Sequence, residues 1–271
     1  MRIAADVRRT VAQENDWRLE GQSRMHVHDT NHSHLPVPQR ACLFLDFDGT
    51  LVNIAPTPDG VVVPTDLTAL LDDLCDALGG RIALVSGRGV SSIETHLPAF
   101  VGIVIGGHGA EMRDQNGTMV RLAGCDTDTA GAHDWARQVG LKYPGVGVEL
   151  KRTGAAIHFR QAPEWELSVR RAAEVFADET TGLAVQESHM AIELRPKCAN
   201  KASAIESLMR ANPFAGYRPI FAGDDQTDRP AMDFCQAAGG IAISVNGIHP
   251  TADIQLGSPR AVRALLRDWL G

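Results

Sequence analysis

The chain has 271 residues, 44% hydrophobic and 22% charged, ordinary values for a globular protein with a sizeable core. Its formal charge of -7 argues against a non-specific nucleic-acid surface, and no apolar run is long enough to span a membrane. The cysteines (Cys42, Cys75, Cys125, Cys198 and Cys235) form no C-x-x-C pair and read as scattered reduced thiols, and with no apolar h-region near the N-terminus the chain is expected in the cytoplasm.

Residues 1–38 read as a flexible N-terminal leader, charged and weakly periodic, closing on Pro36 and Pro38. Its histidines (His26, His28, His32 and His34) are of a kind that can bind metal, but no carboxylate or cysteine cluster completes a site around them. From Arg40 the pattern becomes βαβ-like. Short apolar runs at 42–45, 82–85, 103–105, 219–222 and 241–245 predict buried strands. Leu67, Leu70, Leu71, Leu74 and Leu78 fall on one helical face, and Gly79-Gly80 ends that helix. Ile205, Leu208 and Met209 mark another helix, and Val262, Leu265, Leu266 and Trp269 the last. Strands buried on both faces and alternating with helices imply a mostly parallel sheet covered on both sides.

The stretch 113–195 breaks this rhythm. "VGVELK", "AAIHFR" and "MAIELR" alternate apolar and polar residues, as half-buried antiparallel strands do. Trp165, Val169, Ala172 and Phe176 share a helix face behind Pro163. The expectation is an α/β fold: a Rossmann-like, mostly parallel sheet core (39–112 and 196–271) with an inserted α+β cap or lid (113–195).

Chemistry concentrates at strand ends, where open α/β sheets bind ligands. Asp46 and Asp48 follow the first strand, and Ser86, Gly87 and Arg88 the second. Asp224, Asp225 and Asp228 follow the fourth, and Lys201 opens the helix before it. Each alone suits a cap or a turn. Together, in this order, they resemble the haloacid dehalogenase-like phosphatase superfamily, with "DFDGTL", "SGR", Lys201 and "GDDQTD" as its four motifs over about residues 40–250. That resemblance implies Asp46 as the nucleophile that forms an aspartyl-phosphate and Asp48 as its acid–base partner. It implies Ser86, Gly87 and Lys201 at the phosphate. It also implies Mg²⁺ held by Asp46, Asp48 through its backbone carbonyl, Asp224 and Asp225, with Asp225 and Asp228 ordering the surroundings.

Substrate choice would lie with the lid. Its polar face carries Glu149, Lys151, His158, Arg160, Glu193 and Arg195, which suits either solvent or a polyol. "VELKRTGAAIHFR", "GGHGAEMR" and "HMAIELRPKCANKASAI" are similar to trehalose-6-phosphate phosphatases. Carried over, Glu149, Lys151 and Glu193 hold the distal glucose, with Arg88, His108 and Glu111 as further substrate contacts. The resemblance implies trehalose 6-phosphate as substrate and a functional link to trehalose-phosphate synthase. The chain departs from the family pattern at Arg229, where an acid is usual, and Ala202, where glycine is usual. Other sugar phosphates (sucrose phosphate, glycosylglycerate phosphate, hexose phosphate) are the nearest alternative. A phosphomutase or a non-catalytic sugar-phosphate sensor stands further off, since all four motif residues are present.

Overall fold

The computed structural model describes residues 35–57, 60–121, 127–188 and 190–271. The expected leader, with its four histidines, lies outside them as far as residue 34.

The larger sheet is built on β1 (Ala41–Leu45), whose five residues are all buried. Beside it lie β2 (Ile82–Val85) and β3 (Ile103–Gly106) on one flank, and β10 (Arg218–Gly223), β11 (Ile241–Val245) and β12 (Ile254–Leu256) on the other. All of these pair in parallel. Strand parity splits β1 between two cores. Leu43 and Leu45 pack with α1 (Leu67–Ala77), α2 (Val90–His96) and α7 (Pro259–Leu270). Cys42 and Phe44 pack with α5 (Lys201–Met209) and α6 (Arg229–Ala237), where Phe44 stacks on Phe214. Each such buried Leu or Phe contributes about 1.5–3 kcal/mol. The middle of the sheet is therefore a rigid base for whatever sits at its strand ends.

The lid is a four-stranded antiparallel sheet in the order β6 (Gly147–Lys151), β7 (Gly154–His158), β9 (Ala191–Pro196), β8 (Leu183–Ser188). Two helices, α3 (Thr129–Lys142) and α4 (Glu166–Glu179), cover one face. Asp128 caps α3 by accepting from Gly131 N at 2.9 Å. Trp135, Val139, Ile157, Val169, Ile192 and Leu194 fill the space between helices and sheet, and the opposite face keeps the polar residues. The mostly parallel core with its α+β cap matches the fold expected from sequence.

Three details differ from that expectation. The hairpin β4 (Glu111–Arg113) and β5 (Met119–Arg121) extends the large sheet antiparallel to β3, so this sheet continues beyond residue 113. The edge strand β12 is too short and too exposed to show as an apolar run. Cys42, Cys75 and Cys235 are free, but Cys198 is disulfide-bonded, which corrects the reading of it as a reduced thiol. Sequence spacing alone does not reveal which sulfurs meet in space. No helix among the described residues is long and apolar enough to cross a membrane.

Between β3 and β4 the turn Gly107–Gly109 runs against the start of α5. Gly109 has φ +103°, and a Cβ there would lie 2.6 Å from the Asn200 carbonyl oxygen. Gly109→Ala is therefore expected to lower stability by more than about 1 kcal/mol, read as a reduced urea midpoint at unchanged m-value.

Candidate active site

The strand ends converge as the motif spacing predicts. Asp46 is held by its own N–H, which donates to Ala222 O at 2.9 Å and so extends the β1–β10 ladder by one residue. Asn200 caps α5 by accepting from Ala202 N at 2.8 Å, so that Lys201 starts the helix beside Asp46. Lys201 Nζ donates to Asp46 Oδ1 at 2.7 Å and to Asp228 Oδ1 at 2.6 Å, all three side chains being buried. Burial disfavours the ammonium, but Asp228 and Asp46 more than offset this and raise its pKa.

Asp228 is committed at both oxygens, since Oδ2 accepts from the N–H groups of Asp224 (3.1 Å) and Asp225 (3.0 Å). Asp224 Oδ1 accepts from Thr50 Oγ1 at 3.3 Å. Gly49, at φ +74°, makes room for this carboxylate, because a Cβ there would lie 1.9 Å from Asp224 Oδ2. Carboxylate oxygens of Asp46, Asp224 and Asp228 lie within 4.8 Å of one another. Burial first, then Asp228 and Asp224, push Asp46 well above the usual carboxylate range despite Lys201. Burial first, then Asp228 and Asp225, raise Asp224 to about 6. Asp225 instead caps the following turn, accepting from Thr227 N at 2.8 Å, and is exposed and outside the cluster. Asp225, expected as a metal ligand, is thus outside the three crowded carboxylates, and Asp228 stands among them instead.

Asp48 turns away from the cluster. Both its oxygens accept from Arg88, at 2.5 Å from Nε and 2.9 Å from Nη2. Arg88 Nη1 also donates to Ser92 Oγ at 3.2 Å. Ser86 is buried, and its Oγ accepts from Arg88 N at 3.1 Å. Gly87 lies directly under His108, where a Cβ would sit 2.6 Å from the imidazole. His108 occupies the left-handed region at φ +56°. Burial first, then Lys201, Lys151 and Arg195, hold its pKa well below the usual histidine value, so it is neutral.

Across the gap, β6, β7 and β9 bring Glu149, Ala156 and Glu193 into one row. Lys151 Nζ donates to Glu193 Oε2 at 2.6 Å, and His158 Nε2 lies 2.9 Å from Glu149 Oε2. Burial disfavours the charge on Lys151, but Glu193 and Glu149 hold its pKa above the ordinary value. Burial likewise opposes the charge on Glu149, but the His158 hydrogen bond and Lys151 hold its pKa below.

A cavity of about 560 Å³ joins the two sides. It is lined by Asp46, Asp48, Ser86, Gly87, Arg88, His108, Lys201, Asp224 and Asp225 below and by Glu149, Lys151 and Glu193 above. Glu111, expected as a substrate contact, does not line it. Its Oε1 accepts from Val90 N at 2.9 Å instead, so it holds the start of α2. Sequence reasoning missed the segment Ile54–Thr57, which lines the mouth without any motif signal. It placed His158 on the polar lid face that suits either solvent or a polyol; the register sets His158 opposite Gly147, diagonal to Glu149, and so brings the two side chains together. Arg229 is exposed and its Nη1 donates to Gln226 Oε1 at 3.4 Å, while Ala202 packs into the core, so neither departure touches the cavity.

Residues 44–252 match the trehalose-phosphatase family. The chain belongs to that family. It is 37% identical over 226 residues to a probable trehalose-phosphate phosphatase of Sinorhizobium fredii, covering 82% of this chain and 84% of that one. It is 33% identical to the trehalose-6-phosphate phosphatase of Escherichia coli, covering 74% and 76%. A solved trehalose-6-phosphate phosphatase related protein superposes with TM-score 0.69 at 26% identity, over 84% of this chain and 96% of that one. The C-terminal domain of the Candida albicans enzyme shares the fold at TM-score 0.72 and 22% identity, over 86% and 92%. The trehalose-phosphatase motifs and the crowded carboxylates thus fall on the same strand ends.

Because Asp224 binds a proton more readily folded than unfolded, its contribution to stability falls as pH rises from about 4 to about 6. In metal-free protein, thermal melts of Asp224→Asn should therefore gain on the wild type across that window and exceed it at pH 7. A constant difference would refute this electrostatic account.

Proposed function

We propose that this chain hydrolyses trehalose 6-phosphate to trehalose and phosphate through an aspartyl-phosphate, with Mg²⁺ as cofactor. The cavity with carboxylates and Lys201 at one end and paired polar lid groups at the other carries the reading. In this reading residues 39–112 and 196–271 form the catalytic core and 113–195 the lid. Its volume suits a phosphorylated disaccharide.

The residues fit a divalent cation. Three carboxylates crowd around one ammonium; among the described residues Asp224 keeps an oxygen that makes no hydrogen bond and Asp46 Oδ1 accepts only from Lys201, whereas Asp228 uses both oxygens. Asp46, Asp224 and the backbone carbonyl of Asp48 would hold the ion, with Asp228 setting their orientation. Bound there, Mg²⁺ would screen the charge between a carboxylate and an approaching phosphoryl group.

Asp46 Oδ1, which accepts from Lys201, has a second lone pair that would face the cation, and Oδ2 is the oxygen that attacks phosphorus. The new Oδ2–P bond forms as the bond from phosphorus to the sugar O6 breaks. Ser86 and Lys201 stabilise the transferring group. Asp48, parted from Arg88 and protonated before the step, gives that proton to the departing sugar oxygen. It then takes a proton from the water that attacks phosphorus, releasing phosphate and the Asp46 carboxylate. Lys151, Glu149 and Glu193 would bind hydroxyls of the distal ring through charge-assisted hydrogen bonds. The same reading places the enzyme in the cytoplasm, taking its substrate from a trehalose-phosphate synthase.

Phosphate release should be measured with Mg²⁺ from trehalose 6-phosphate, sucrose 6-phosphate and glucose 6-phosphate. Trehalose 6-phosphate should be preferred, and Asp46→Asn should fall to background on all three. Equal turnover on the three would remove the trehalose assignment, and an active Asp46→Asn the mechanism. Glu193→Ala should raise KM for trehalose 6-phosphate about tenfold or more while retaining slow hydrolysis of p-nitrophenyl phosphate.

A further inference from the structure

Glu111 has a second oxygen with a different neighbour. Its Oε1 is committed to Val90 N, and Arg113, on the same face of β4, pairs with Glu94 of α2 at 2.9 Å. The Glu111 carboxylate is therefore rigidly placed, with its side chain only 4% exposed. Its Oε2 is buried and accepts no hydrogen bond. The cation that faces it is Arg152, whose Nε lies 3.4 Å away. Arg152 belongs to the β6–β7 turn of the lid and its side chain is 64% exposed. Thr153, the other residue of that turn, is buried; a Cβ on Gly107 would come within 3.0 Å of its Oγ1. The preceding residue, Lys151, reaches into the cavity to Glu193. One turn thus carries a cavity charge on Lys151 and a core contact on Arg152.

We propose that Glu111 and Arg152 form a latch that positions the lid over the active site. This deepens the phosphatase reading above and rests on it. A buried carboxylate oxygen without a donor is costly, so the closed lid is favoured by the charge that Arg152 brings to Oε2. When the lid lifts, Oε2 loses its partner while Oε1 stays bonded to α2. Glu111 is the fixed keeper and Arg152 the moving bolt. Neither touches substrate; both are positioning residues that act through the placement of Lys151, Glu149 and Glu193.

The test uses Arg152→Met, which keeps the length of the side chain, and Glu111→Gln, which keeps an oxygen for Val90 N but removes the charge. Each should raise KM for trehalose 6-phosphate about threefold or more with little change in kcat, and the double variant should be no worse than the singles. Hydrolysis of p-nitrophenyl phosphate, which does not reach the lid, should be unchanged in Arg152→Met. Without substrate, amide hydrogen exchange over residues 107–111 and 152–154 should quicken in Arg152→Met. Wild-type exchange and wild-type KM in Arg152→Met would overturn the latch, as would losses that multiply in the double variant. If the wild type does not hydrolyse trehalose 6-phosphate, the substrate reading fails and the exchange result alone decides the latch.

Discussion

One buried ammonium, shared by two buried aspartates, is the interaction on which the site depends. Lys201 lies between Asp46 and Asp228, and a third carboxylate, Asp224, completes a cluster with excess negative charge. Such an arrangement is unfavourable unless the surrounding structure fixes it. The fold does so at each corner: the β1–β10 ladder holds Asp46, the Asn200 cap starts α5 at Lys201, and two backbone N–H groups hold Asp228. Gly49 then leaves room for Asp224. Burial first, and then the neighbouring carboxylates, raise the pKa values of Asp46 and Asp224. A divalent cation is the partner that this imbalance favours, and an anionic phosphoryl group would approach only with that cation in place.

The lid follows the opposite rule. Its polar groups are paired within the chain, Lys151 with Glu193 and Glu149 with His158. Matched pairs on a half-buried sheet face can exchange partners with hydroxyl groups without leaving a bare charge. The core end is therefore suited to an anion that arrives with a metal, and the lid end to a neutral polyol. In the proposed reading, phosphoryl chemistry lies at one end of the cavity and sugar selection at the other.

Much of this was legible in the sequence. The central strands were visible because burial on both faces leaves uninterrupted apolar runs such as "CLFL" and "IALV". Lid strands showed as alternation because one face packs on α3 and α4 and the other does not. Asp46, Asp48, Ser86, Lys201 and Asp224 stand out in the sequence because each sits where a strand or helix begins or ends. Glu111 lies outside the cavity lining, to which its motif contributes only His108, because strand parity turns Glu111 toward α2. Asp225 and Asp228 differ by hydrogen bonds that only the folded turn creates. The Asp48–Arg88 pair joins residues 40 apart in sequence, beyond the reach of any local pattern.

The central claim is that the carboxylate cluster is completed by a cation. Isothermal titration of metal-free protein with Mg²⁺ tests it most directly, with Asp224→Asn as the comparison. The account predicts saturable binding of one ion per chain in the wild type and its loss in Asp224→Asn. Absence of saturable binding, or equal binding by the variant, would contradict it.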